Sequence, residues 1–179
     1  MIGNIFNTVL YNRFPFLVLI AVFIPFTYAY GTGKDTLSDV TGIAVIVDEI
    51  SDTAREDGLK EADLKSLVEA KLQQADIEVL EERKWVTVFG GAYLLIKVTA
   101  SKSEAGGYYA VYLDVELYQT VVLFGKKLGR NITTAAATWS VGKLLSCPAK
   151  TIDKCMEGSL SELTDMFIAD YKSVNTVPQ

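Results

Sequence analysis

Asp114 and Glu116 are the residues best spaced for acid–base chemistry. On a strand, residues two apart project from one face with Cα atoms about 7 Å apart, within range of a glycosidase-type carboxyl pair. Acidic residues on the open face of an antiparallel sheet are commonly just a solvated surface, and no further catalytic group converges on this pair. The chain contains no histidine. That excludes Ser-His-Asp and Cys-His mechanisms and zinc sites of the usual kind. Gly31-Thr32-Gly33-Lys34 resembles the end of a phosphate-binding loop. However, Tyr28 stands where that loop needs its first glycine, and Asp35 replaces the hydroxyl that would hold Mg²⁺. The sequence points away from an enzyme and names no catalytic residue, cofactor or metal. The alternative is a carbohydrate-acting hydrolase using Asp114 and Glu116.

Cys147 and Cys155 are the only cysteines, and in an oxidising compartment an isolated pair reads as a disulfide. On one continuous helix this spacing would hold them roughly 12 Å apart, beyond disulfide reach. A bridge therefore requires Cys147 in the loop before a helix and Cys155 in its first turns. Pro148 and the candidate N-cap Thr151 allow that. The closed loop is short and worth about 2.5 kcal/mol in the chain-entropy treatment. The alternative is two reduced, buried cysteines.

The compartment follows from the N-terminus. Residues 1–29 carry one charge, Arg13, followed by an apolar run from Phe14 to Tyr30. Asn12-Arg13, the core Phe16–Ile24, Pro25 and then Thr27-Tyr28-Ala29 match a secretory signal, with cleavage between Ala29 and Tyr30. Retained, the segment would be a membrane anchor at the lower edge of spanning length; Pro15 and Pro25 oppose a stable span. Of the 179 residues, half are hydrophobic and 22% charged, a globular balance. The net charge of −5 becomes −6 without Arg13. This acidic balance excludes a nucleic-acid binder, which needs a basic footprint. The expected location is the periplasm or envelope of a bacterium.

After a short linker, residues 30–40, one domain is expected over 41–179. Ile43–Val47 is apolar on both faces, as in a central strand. Leu64, Leu67, Val68, Leu72 and Ala75 recur at helical spacing within 61–75, and Ile77–Leu80 gives a second strand. Tyr93–Ala100, Tyr108–Val122 and Ile132–Val141 alternate and form an antiparallel meander. In the last of these, Ala135, Ala137, Trp139 and Val141 are expected inward and Thr134, Thr138 and Ser140 outward. Ile152–Ser173 is a helix with Cys155, Met156, Leu160, Leu163, Phe167 and Tyr171 on one stripe. The expected fold is α+β in the order βαβββα: a mixed, mainly antiparallel five-stranded sheet with two helices packed on one face.

Gly42-Ile43-x-Val45-x-Val47-x-Glu49, Gly58-Leu59, Glu69-x-Lys71-Leu72, the strand Tyr109–Gln119, Ala137-Thr138-Trp139-Ser140 and Phe167-Ile168-x-Asp170-Tyr171-x-x-Val174-Asn175 resemble a family of uncharacterised exported bacterial proteins. The resemblance covers nearly all of the chain after residue 29. In architecture that family is similar to small envelope domains of the TolB N-terminal and CsgG-like type, which bind and assemble envelope components. The resemblance implies a binding or assembly role and brings no catalytic motif.

Two surfaces suit such a role. Tyr108, Tyr112 and Tyr118 share a strand face with Asp114 and Glu116, and Tyr93 with Leu95 faces the same way on the neighbouring strand. Tyrosines supply apolar area with a polar tip at small entropic cost, although cross-strand aromatic pairs also simply stabilise sheets. The second surface is the segment Glu81–Gly91, where Trp85, Val86, Val88 and Phe89 are too apolar for an ordinary connection. It either extends the second and third strands into a long hairpin, the default, or presents apolar side chains to a partner or membrane. The function expected is an exported, non-enzymatic binding or assembly domain. Its partner would be a protein or envelope component, with membrane contact only if the N-terminal segment is retained as the anchor of a structural subunit.

Overall fold

The computed structural model describes residues 33–125 and 129–175. The expected signal and its Ala29/Tyr30 cleavage point lie outside them. Strands β1 (Gly42–Val47), β2 (Val79–Leu80), β3 (Gly91–Lys102), β4 (Tyr108–Gly125) and β5 (Arg130–Pro148) form one sheet in the order β2-β1-β3-β4-β5. β1 runs parallel to both its neighbours, and the β3-β4-β5 meander is antiparallel. The α+β class and mixed, mainly antiparallel five-stranded sheet are as the sequence indicates.

Helices α2 (Glu61–Gln74) and α3 (Ile152–Asn175) bury Leu64, Val68 and Leu72, and Ile152, Met156, Leu160, Leu163 and Phe167. These meet one face of the sheet, where Ile43, Val45, Leu94, Ile96, Val111, Leu113, Val115 and Leu117 are buried. A third helix, α1 (Asp52–Glu56), was not expected. It forms in the acidic stretch after β1 because Ala54 is buried and Arg55 pairs with Asp52 and Glu61 at 3.0 and 2.8 Å. Gly58, at φ 101, ends it in a conformation only glycine adopts freely. Tyr109 reaches under it, its one hydroxyl proton shared between the Asp57 carboxylate at 2.7 Å and the Thr53 carbonyl at 2.9 Å.

Several sequence expectations are corrected. β2 and β3 do not make a hairpin: β1 lies between them, and both run parallel to it. The Glu81–Gly90 segment therefore crosses the end of β1 as a series of turns rather than as added strand. Leu37 and Val40, placed in a linker by sequence, are buried, and residues 34–37 form a 3₁₀ turn. The C-terminal helix holds that turn in place: Tyr171 donates to the Val40 carbonyl at 2.8 Å and Asn175 to that of Leu37 at 2.9 Å.

β5 begins earlier and ends later than its alternation suggested, and its register breaks. Leu117 pairs with Trp139 but Tyr118 pairs with Ala137, so Thr138 is an extra residue. Such a bulge exchanges the two faces of the strand beyond it. Trp139 and Val141 face the helices as expected. Ala135 and Ala137 instead lie opposite Thr120 and Tyr118 on the other face, and Thr134 joins the helix side opposite Val121. The disulfide between Cys147 and Cys155 forms, with Cα atoms 5.8 Å apart. Cys147 sits on the last turnless stretch of β5 rather than in a loop, so the bridge ties the end of the sheet to the first turn of α3.

Candidate binding face

The side of the sheet opposite α2 and α3 is open, and register places its residues in rows. Tyr93, Tyr118 and Ala137 form one row across β3, β4 and β5; Leu95, Glu116 and Ser140 the next; then Lys97, Asp114 and Gly142; then Thr99, Tyr112 and Leu144. Pleat alternation produces these rows on β3, β4 and the later part of β5, and the bulge at Thr138 brings Ala137 into the first of them. The face is thus aromatic at one end, charged in the middle and aromatic-aliphatic beyond.

At the first end three rings cluster, two of them stacked. Tyr93 and Tyr118, direct cross-strand partners, lie with centroids 4.9 Å apart and planes 7° from parallel. Trp85 packs against Tyr93 at 4.7 Å, so the turn segment after β2 leans onto the sheet through its half-buried indole. Phe89 does not join them. It is 93% exposed at the rim of a shallow groove of about 480 Å³, bounded by residues 85–91 and by Gln119 and Thr120 of β4.

In the middle, Lys97 donates to Glu116 at 2.6 Å. Burial acts to raise the Glu116 carboxyl, but hydrogen bonds from Lys97, Tyr118 and Asp114 outweigh it and hold the group below its ordinary range. Asp114 moves the other way: burial and the adjacent Glu116 charge push it up. Asp114 is therefore the member of the pair that keeps its proton to higher pH. The hydrogen bond to Glu116, then burial, raises the Tyr118 phenol, and burial followed by the Glu116 charge raises that of Tyr93.

Further along, Tyr108 and Tyr112 are 58% and 47% exposed. Tyr112 lies over Gly142, where a Cβ would come within 2.5 Å of its hydroxyl. The structure thus brings Trp85, Tyr93 and Tyr118 together, sets Tyr112 and Tyr108 on the same face at a distance, and leaves Phe89 apart. Lys97 and Leu144 belong to the face and were not chosen from sequence. The parity shared with Tyr93 marked Lys97; Leu144 lay beyond the expected end of β5. Among the described residues no group of three or more Asp, Glu or Cys is arranged to hold a metal, and no helix is long and apolar enough to cross a membrane.

These features define an α+β domain of one sheet, helices on one side and an aromatic, charged face on the other. No protein-family model and no curated protein matches the chain. Among solved structures it is similar to a point variant of the PelC dodecamer from Paraburkholderia phytofirmans, at 14% identity over 70% of this chain and 86% of that one, TM-score 0.43. A second PelC dodecamer structure from the same organism matches at 12% identity over 76% and 90%, TM-score 0.38.

Proposed function

We infer that the protein is an exported, non-enzymatic domain that binds a protein or envelope component across the open face of its sheet. The carrying observation is the cluster of Trp85, Tyr93 and Tyr118, the two tyrosines stacked and the indole tilted against them, on an uncovered face that continues through Lys97 and Glu116 to Tyr112 and Tyr108. Rigid aromatic groups around a fixed ion pair give directional contacts at little entropic cost. The disulfide, which an oxidising compartment maintains, supports export. So does the signal-like segment 1–29, with cleavage after Ala29. The resemblance to exported envelope proteins, read from the motifs around Trp139 and Asp170, agrees with this role.

The hydrolase reading is disfavoured by geometry. Glu116 is held by Lys97 at 2.6 Å, an ion pair that occupies the carboxylate a glycosidase would need free for its reaction. The 480 Å³ groove is lined by neither Asp114 nor Glu116. The test is affinity recovery from envelope extracts with the wild type and with a Tyr112→Ser, Tyr118→Ser double variant of retained fold. Loss of a partner that the wild type captures is expected; undiminished capture overturns the role of the face. Asp114→Asn should leave capture intact.

A further inference from the structure

In the middle of the open face two carboxyl groups share one amine. Lys97 stands directly opposite Asp114 on the neighbouring strand, yet its ammonium donates to Glu116 at 2.6 Å, in a pair whose side chains are 35% and 16% exposed. Asp114 leans away from it, toward β5. Its Oδ1 lies 3.2 Å from the point where a Cβ on Gly142, its partner there, would stand, and the Tyr112 hydroxyl lies 2.5 Å from the same point. The carboxyl therefore reaches over the one position of β5 that has no side chain. Ser140 and Leu144 on either side carry no charge, and Lys143 points to the helix side, where it binds Glu162 at 2.6 Å. The titratable groups that face Asp114 are thus Lys97 from β3 and Glu116 and Tyr112 from β4, with Tyr93 and Tyr118 two rows away and none from β5.

We propose that the partner of the open face binds it with Asp114 protonated, so that association takes up a proton and strengthens as the medium turns acidic. This step rests on the open face being the binding surface, and adds what controls it. A partner lying across Tyr118 and Tyr112 excludes water from the row between them. Glu116 keeps its charge there because Lys97 stays on it. Asp114 has no cation of its own. Stripped of water, a carboxylate without one costs far more than a neutral carboxyl, which needs only an acceptor for its proton. Burial, and then the Glu116 charge, already act on Asp114 in this sense in the free protein. A basic side chain on the partner would instead keep Asp114 ionised, but it would have to settle close to the Lys97 ammonium, at a like-charge cost. The partner that fits presents an uncharged, largely apolar strip with a hydrogen-bond acceptor opposite Asp114.

The sign of the pH dependence follows. Covering the face raises the Asp114 midpoint above its free-protein value. Affinity is greatest below the free-protein midpoint, falls as pH rises from there to the bound-state midpoint, and is flat above it. The fall is about tenfold for each pH unit that separates the two midpoints.

The test compares the full-length wild type with Asp114→Asn, which keeps the shape of the neutral acid. Recovery from envelope extracts is measured at about pH 5 and about pH 7.5, either side of the range in which a raised carboxyl titrates. Only material that the Tyr112→Ser, Tyr118→Ser variant fails to hold is counted. Titration of the partner moves both proteins alike, so the ratio of wild type to Asp114→Asn reports Asp114. Expected is a ratio near one at the lower pH and several-fold below one at the higher. Equal ratios at the two pH values overturn the proton link and leave the face as the binding surface. A ratio above one at the higher pH also overturns it and assigns a cation to the partner. Absence of any material that depends on the two tyrosines overturns the binding role of the face and the proton link together. A second measurement needs no partner: the ¹³C shift of the Asp114 carboxyl, followed across pH in the free protein, should show a midpoint above those of the exposed aspartates, and a midpoint among or below theirs overturns the proposal.

Discussion

The two halves of the β4-β5 hairpin share strands, hydrogen-bond pattern and apolar alternation, yet one half is core and the other is surface. From Tyr109 to Leu117 the inward residues are all buried beneath the helices; from Val121 to Phe124 residues of equal hydrophobicity are largely exposed. What differs is the layer above them. α3 closes over Trp139 and Cys147 of β5 and nothing described covers the strand between Arg130 and Ala137. Alternation in a sequence therefore reports which side chains share a face. Whether that face is covered is decided by the length and position of another element.

The largest test of this contrast is Trp139→Ala, at the last covered position before the bulge. Trp139 meets Phe167 edge-on at 5.0 Å and its indole N–H donates to Asp170 at 3.0 Å. Removing it opens a cavity and strands a carboxylate, so urea denaturation should show a loss of about 3–5 kcal/mol. A loss below about 1 kcal/mol would break the distinction between the halves. Next is the disulfide that pins the covered end to α3: Cys147→Ala with Cys155→Ala should cost about 2–3 kcal/mol by the same measurement. Reductant should lower the wild-type midpoint and leave the double variant unmoved.

Much of this was legible in the sequence. The inward sets Leu94, Ile96, Val98 and Tyr109 to Leu117 follow from period-two patterning, and the helical stripes follow from 3.6 periodicity. Asp170, Tyr171 and Asn175, which belong to the motifs carrying the family resemblance, prove structural: they bond Trp139 and the carbonyls of Val40 and Leu37. Other features left no local signal. The bulge falls in Ala-Ala-Ala-Thr, where small residues fit either face, so Thr138 could not be distinguished as the extra one. Leu144-Leu145 interrupts the alternation, so patterning ends β5 at Val141 although the strand runs on to Pro148. The passage of the chain over β1 depends on β1 being covered on both sides, a tertiary fact. Of the candidate face, the tyrosine parity is readable; the packing of Trp85 against Tyr93 is not, because it joins a turn segment to a strand through space.

A smaller effect is expected midway, on the open side of the covered half. Folding raises the Asp114 carboxyl through burial and the Glu116 charge, so the folded state binds its proton more tightly than the unfolded chain does. Stability should then fall as pH rises from the ordinary Asp range through the folded-state value. Glu116 acts oppositely, its contribution present above the ordinary Glu range and lost as pH falls through its lowered value. Asp114→Asn should remove the first dependence, giving a modest gain at neutral pH and a flatter profile just above the ordinary carboxylate range. Thermal midpoints across pH for both proteins measure it; an unchanged slope would show that the two carboxyl groups are not coupled.

The smallest effect sharpens the contrast most. Phe124→Ser removes a side chain as large as that of Phe167, but from the uncovered half, where folding takes little of its surface out of water. Its unfolding free energy should stay within about 0.5 kcal/mol of the wild type. The same substitution at Phe167, fully buried, should destabilise by several-fold more than that. If Phe124→Ser instead unfolds the chain as readily, that half of the hairpin is covered in solution by another copy, and the midpoint will rise with protein concentration. A silent substitution means that the apolar character of the uncovered half is not needed for folding and is available for contact outside the chain.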